Sequence, residues 1–378
     1  MKKIALFLIC FVSIHQIVLG QMNKITQDFS LQMMKNLIKE EGNILISPLS
    51  ISASFAMLHP GAKGITKMKI DSIFHSQSLF DNFSSYLKEL KTRGNSSFQL
   101  SNALIVQSGI KLDSAYEKKI NTNLPVSTMN VDFSSPTSAR DLINLWVKNQ
   151  TKDRIKEIVT TEDLNQTIVL ILNVLTFDGQ WQNQFDPTLN QEGIFDAKGS
   201  NTKCTYMNAE FAAGFSENKD LIAVNLAYKN SDYSMLLVQS KEESLDKLLS
   251  ENSKQIADLI DKKQFMKVDN IKIMMPRFEF EYQIMIDDYL RKQRLGDVFA
   301  NQADYSGVVA EGLKIDKVIH KTMIKVIETG TQAAAATAIS GVRSLKSKTI
   351  TLDKPFLFFI TSNTDNTILF SGCLKKTE

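Results

Sequence analysis

The first third of the chain carries apolar residues at helical spacing. In "ITQDFSLQMMKNLIKE", Ile25, Phe29, Met33 and Leu37 recur every fourth position, which puts them on one stripe of an amphipathic helix. "DNFSSYLKEL" and "SARDLINLWVKNQT" repeat the period. Further along, the pattern turns to strands. "TIVLILNVLTF" is apolar at successive positions, as a strand covered on both faces of a large sheet must be. "DYSMLLVQ", "NIKIMMPRFEFEY", "HKTMIKVIE" and "PFLFFITSNTDNTILFSG" read as further strands. Helices early and strands late, without regular alternation, predict an α+β fold rather than a doubly wound sheet. No Pro/Gly/Ser-rich linker, internal repeat or long charge block divides the chain.

Composition narrows the classes of function. The 378 residues are 43% hydrophobic and 22% charged, enough for a substantial core, and the formal net charge of +3 gives no field that would favour nucleic acid or an anionic membrane. Residues 1–20, "MKKIALFLICFVSIHQIVLG", have two lysines, an apolar run and small residues before a cut after Gly20, the pattern of a secretory leader. The expected mature chain is residues 21–378, secreted and extracellular. Sequons at Asn82, Asn95, Asn149 and Asn165 fit that compartment as possible glycan acceptors. Beyond the leader only Cys204 and Cys373 remain, too few for a disulfide framework, and free buried thiols are expected.

Signatures of catalysis are missing. The sequence has no G-x-S-x-G elbow, no H-E-x-x-H and no Gly-rich phosphate loop, and His59, His75 and His320 lack metal-ligand spacing. No enzyme activity, metal or cofactor is expected. Lys88, Lys91 and Arg93 read as a solvated helix face rather than a polyanion site.

The unusual stretch is "ETGTQAAAATAISG", Glu328 to Gly341. Four consecutive alanines favour helix, yet they follow the strand-like "HKTMIKVI". Taken alone they would suit a short surface helix or a linker. Other segments place them in a context. "GNILISPLSISASFAMLHPGAKGITKMKI" (with Asn43, Ser47, Pro48 and Ser50), "LNVLTFDGQW" (with Asn173 and Trp181), "MPRFEFE", "ADYSG", "HKTMIKVIETGTQAAAAT" (with His320) and "DKPFLFFI…ILFSG" together resemble the serpins, in the family's order and over essentially the whole mature chain.

That resemblance implies a single serpin domain over residues 21–378, with a large mixed central sheet and an exposed reactive-centre loop at about 328–350. It implies a monomer whose partners are serine proteases, trapped covalently when the loop is cut and inserts into the sheet as a new strand. A residue that enters a formed sheet must bring no unpaired charge. The hinge Glu328, Gly330, Thr331, Gln332, Ala333, Ala334, Ala335, Ala336 and Thr337 is small and uncharged after Glu328, although Gln332 departs from the family's usual glutamate. Thr331, Ala333, Ala335 and Thr337 would face one side of the new strand. A strand of roughly ten residues gains on the order of twenty backbone hydrogen bonds, at about 0.5–1.5 kcal/mol each, so insertion could distort a tethered protease.

The resemblance also groups Ser47, Ser50, Asn173, His320 and Trp181 beneath the point where the sheet opens. For the scissile bond, the family register from Glu328 reaches Ser344–Leu345, an elastase-like choice, whereas Arg343 one residue earlier would suit a trypsin-like pocket. A cut after Leu345 would suit a chymotrypsin-like one. The alternatives to inhibition are a non-inhibitory carrier or chaperone of the same fold and, from another class, a hydrolase.

Overall fold

A computed structural model describes residues 2–92, 97–197, 199–242, 244–331 and 348–377. Its helices are α1 (Lys2–Leu37), α2 (Pro48–Leu58), α3 (Gly64–Ile73), α4 (Leu79–Thr92), α5 (Ser114–Asn123), α6 (Pro136–Gln150), α7 (Leu245–Glu251), α8 (Ser253–Lys262) and α9 (Ile286–Lys292). The strands up to the chain's middle are β1 (Ile44–Ile46), β2 (Phe98–Gln107), β3 (Val126–Val131), β4 (Val169–Phe177), β5 (Gly179–Gln180), β6 (Gln191–Phe195), β7 (Thr202–Glu217), β8 (Leu221–Ala227) and β9 (Tyr233–Ser240). Those that follow are β10 (Met266–Pro276), β11 (Phe278–Met285), β12 (Lys317–Ile327), β13 (Gly330–Thr331), β14 (Lys348–Thr351), β15 (Phe356–Ser362) and β16 (Ile368–Leu374). The α+β class is as the hydropathy pattern predicts, and each helical and strand-like stretch singled out above falls in an element of that type. The backbone of α1 is helical from Lys2, so the segment read as a leader continues into the helix without a break at Gly20.

The chain divides into two compact units, each assembled from segments distant in sequence. The first comprises Met1–Phe29, Leu49–Thr176 and Gln283–Thr322. In it β3, β2, β4 and the first half of β12 lie side by side, and β4 and β12 run parallel with Asn173 directly opposite His320. Every residue of β4 is buried, which is why its sequence shows no alternation. The residues of α2 are all buried as well, in keeping with a helix apolar nearly all round. Phe29, Phe55, Phe74 and Phe299 form an aromatic cluster with centroids 4.9–6.0 Å apart. Local signals set the helix starts: Asp113 accepts from Tyr116 N at 2.8 Å to cap α5, and Pro136 opens α6.

The second unit comprises Ser30–Pro48, Phe177–Tyr282 and Met323–Glu378. Its sheet runs β1-β16-β15-β9-β8-β7-β10-β14, with β6 also paired to β7. All pairs are antiparallel except β10 with β14, where the chain re-enters the sheet after the candidate loop. Lys348, at the start of β14, bridges to Glu217, which Lys241 also contacts at 2.7 Å, and its ammonium lies 4.0 Å from the Phe215 ring centre. Asn43 accepts from Lys375 N at 2.8 Å and donates to Lys376 O at 2.9 Å. The same unit holds the second half of β12, the two-residue strand β13 and β5, in that order.

Candidate functional site: a strand clasp and a docked hinge

The first group lies on β4 and β12, in the first unit. Asn173 is fully buried in a strand otherwise made of Val, Leu, Ile, Thr and Phe, where an unpaired amide would cost about 1–3 kcal/mol. Its side chain is instead saturated. Oδ1 accepts from Ser50 Oγ and from His320 Nδ1, each at 2.6 Å. Nδ2 donates to Asn102 Oδ1 at 2.6 Å and to the Ser50 carbonyl. An amide has two donor and two acceptor sites, and all four are used. Accepting at Oδ1 fixes the proton of His320 on Nδ1. Burial holds the His320 pKa down to about 3, so the ring is neutral at physiological pH. Because Asn173 and His320 face each other in register, parting β4 from β12 breaks the amide–imidazole bond directly.

The second group lies in the second unit, where β12 reverses. Ile327 pairs with Gly330 and Val326 with Thr331, so Glu328 and Thr329 form a two-residue turn. On its other side β13 pairs with β5, Gly330 opposite Gln180 and Thr331 opposite Gly179. Gly330 and Thr331 thus form a short strand between β12 and β5. Gly330 is needed there for two reasons. Its φ is 152°, and a Cβ would come within 2.1 Å of Gly179 O. Thr331 is buried, and its hydroxyl shares a 2.7 Å hydrogen bond with Tyr228 OH.

Aromatic packing holds the turn. Trp181 stacks on Tyr228 with centroids 4.5 Å apart and planes 10° from parallel. The Trp181 indole Nε1 donates to Ile327 O and its backbone N to Thr329 O, both at 3.0 Å. Phe185 N donates to Glu328 O at 3.0 Å. The Glu328 carboxylate, buried, accepts from Asn190 Nδ2 at 2.6 Å and lies 3.5 Å from Arg277 Nε. Burial pushes the Tyr228 hydroxyl well above its ordinary pKa, so it stays a neutral partner for Thr331.

Of the residues singled out in the sequence, the structure brings Ser50, Asn173 and His320 together. Ser47 is fully buried immediately before Pro48 at the start of α2, and Trp181 belongs to the hinge group rather than the clasp. Glu328, Gly330 and Thr331 form the turn and β13. Gln332, Ala333, Ala334, Ala335, Ala336, Thr337, Arg343, Ser344 and Leu345 lie outside the described residues, as does Asn95. Asn149 and Asn165 are exposed. Asn82 is buried, and its Nδ2 donates to Ser76 Oγ at 3.1 Å. Cys204 and Cys373 are both buried and free. Among the described residues no cluster of His, Cys, Asp or Glu could hold a metal ion, and no helix is long and apolar enough to cross a membrane.

Sequence reasoning missed Asn102, Tyr228 and Asn190. Asn102 had a faint signal, a lone amide within the apolar run "NALIV" of β2. Tyr228 and Asn190 had none, since each is set by a partner more than 100 residues away.

Residues 24–376 match the family model described as serpin (serine protease inhibitor). The chain belongs to the serpin family. It is 31% identical over 371 residues to an uncharacterized serpin-like protein of Methanosarcina mazei, covering 94% of this chain and 86% of that one. It is 29% identical to human leukocyte elastase inhibitor, over 88% of this chain and 92% of the other. Human thyroxine-binding globulin, in complex with its hormone, has the same fold, with a TM-score of 0.86 and 23% identity over 96% of this chain and 100% of that one. Serpins as a family are protease inhibitors rather than enzymes.

Proposed function

We propose that this serpin is a secreted suicide-substrate inhibitor of serine proteases, acting through cleavage of its reactive loop, an acyl-enzyme tether and insertion of the loop as a strand. The observation that supports it most is the seating of Gly330 and Thr331 as β13 between β12 and β5. A strand whose first two residues already have sheet partners on both sides has a place for those that follow. These are Gln332, four alanines and Thr337, none of which brings a charge. A carrier reading has the fold neighbour with bound thyroxine in its favour; the small, uncharged hinge favours inhibition. The leukocyte elastase inhibitor relative and the Ser344–Leu345 register point to an elastase-like target, and Arg343 to a trypsin-like one.

The test is incubation of the full chain with trypsin-, chymotrypsin- and elastase-like enzymes. Inhibition by this route gives a protease complex that survives boiling in detergent. Clean cleavage of the loop without such a complex would overturn it. Mass spectrometry of the released C-terminal peptide separates the targets: a start at Ser344 means a trypsin-like enzyme, and a start at Leu345 an elastase-like one.

A further inference from the structure

Behind the hinge group, within the second unit, the sheet forks. Strand β8 pairs with β7 from Ile222 to Asn225 and then leaves it, Ala227 O accepting instead from Gln182 N at 2.9 Å. The fork encloses a cavity of about 180 Å³ that opens to solvent. Its apolar walls are Trp181, Phe185 and Phe211, arranged edge to face, with centroids 6.4 Å apart for Trp181–Phe185 and 5.7 Å for Phe185–Phe211. Asn183, Asn225 and Lys267 add polar groups to the lining.

Two features set this cavity apart from an ordinary packing fault. Lys267, Gly214 and Asn225 stand opposite one another across β10, β7 and β8, so they share one face of the sheet, with the Phe265 side chain packed over the glycine between them. The three polar side chains are also open to solvent, Lys267 exposed and Asn183 and Asn225 half-buried. Among the described residues, Asn183, Asn225 and Lys267 make no side-chain hydrogen bond or ion pair, whereas the amide of Asn173 is fully engaged. An aromatic-walled hollow with a cation and two idle amides in its lining has the general build of a small-molecule site.

We infer that this cavity binds a small monocyclic aromatic carboxylate, with the ring between Trp181, Phe185 and Phe211 and the carboxylate at Lys267 and the two amides. Size sets the ring count: an apolar cavity of about 150 Å³ takes one benzene ring, and a fused bicyclic ring would overfill 180 Å³. Charge sets the substituent, because Lys267 is a cation without a partner. The edge-to-face walls suit a further ring, whose positive edge meets their negative faces. The site touches the hinge through its own walls, since Trp181 and Phe185 donate the hydrogen bonds that hold Thr329 O and Glu328 O. This inference concerns binding alone and stands whether or not the chain inhibits a protease.

The chain has two tryptophans, so a Trp146→Phe variant of the full-length protein leaves Trp181 as the only indole reporter. Benzoate, benzylamine and acetate are titrated separately while Trp181 fluorescence is followed. Benzoate is expected to give a saturable change, with benzylamine and acetate at least about tenfold weaker. Lys267→Gln, a change at an exposed side chain, is expected to weaken benzoate at least about fivefold, a loss set by the removed ion pair. A non-saturating response, equal affinity for benzoate and benzylamine, or benzoate binding unchanged in Lys267→Gln would each overturn the assignment. Circular dichroism and melting temperature, unchanged in both variants, exclude misfolding as the source of a lost signal.

Discussion

Replacing Asn173 with alanine tests the clasp most directly. The substitution removes an amide that serves four partners at once: Ser50 Oγ, the Ser50 carbonyl, His320 Nδ1 and Asn102 Oδ1. All are buried. At about 1 kcal/mol for each group that loses its partner, the low end for buried polar atoms, the expected loss is about 4 kcal/mol. That is a large share of the roughly 5–15 kcal/mol that holds a folded protein together. Equilibrium urea unfolding of the intact protein should show it as a midpoint lowered by about 1.3 M, for a slope of about 3 kcal/mol per M. Asn149→Ala, at an exposed position of α6, is the control and should move stability by no more than about 0.5 kcal/mol. A double-mutant cycle with His320→Ala should return a coupling of at least about 1 kcal/mol, because the two side chains bond across β4 and β12. A midpoint for Asn173→Ala equal to that of the control would refute the argument that this amide holds the strands together.

Three further outcomes follow from the same geometry. The His320 pKa, about 3 when folded, lies below its unfolded value, so the unfolded chain binds the extra proton between about pH 3 and 6.5; stability should fall by about 1.4 kcal/mol per unit as pH drops through that window, and His320→Gln should remove this part of the slope in urea midpoints. Thr331→Arg would place a charge at a buried position and take the hydroxyl partner from Tyr228, so the variant should be cleaved by a target protease without forming a detergent-stable complex; retained complex formation would contradict the hinge assignment. Burial pushes the Cys373 thiol up to about 12 and raises that of Cys204, so both should resist a thiol reagent at pH 7.5 in the native protein and react promptly in urea; rapid modification of native Cys373 would contradict its burial.

Much of this fold can be read from the chain because its largest elements follow simple periods. The four-residue stripe of Ile25, Phe29, Met33 and Leu37 is buried along α1, and the unbroken apolar run of β4 is buried at every position. Asn173 and His320 are singled out in sequence by their place in serpin-like segments rather than by any period. The partners they use are another matter. Asn102 and Ser50 come from elements 71 and 123 residues away from Asn173, and only the packing of β2 and α2 brings them to it. The hinge is a middle case. Its small residues are visible, but the need for Gly330 depends on a carbonyl at Gly179, which lies across a sheet pairing that no local pattern announces. At Asn82 the three letters of a sequon say nothing of the burial that helix packing gives the side chain.

The turn at Glu328–Thr329 bears on the order of events in strand growth. Starting a hairpin is the slow part of building one, because the chain must be bent back and two residues fixed before any ladder bond offsets the lost freedom. In this serpin that start has already been made: Ile327 faces Gly330, Val326 faces Thr331, and Tyr228 holds the hydroxyl of Thr331 in place. If the proposed insertion takes place, each later residue would join β13 as propagation on an existing nucleus, at the cost of its own ordering alone. Under the proposed insertion, the step left to overcome is the parting of β4 from β12, where Asn173 must release His320.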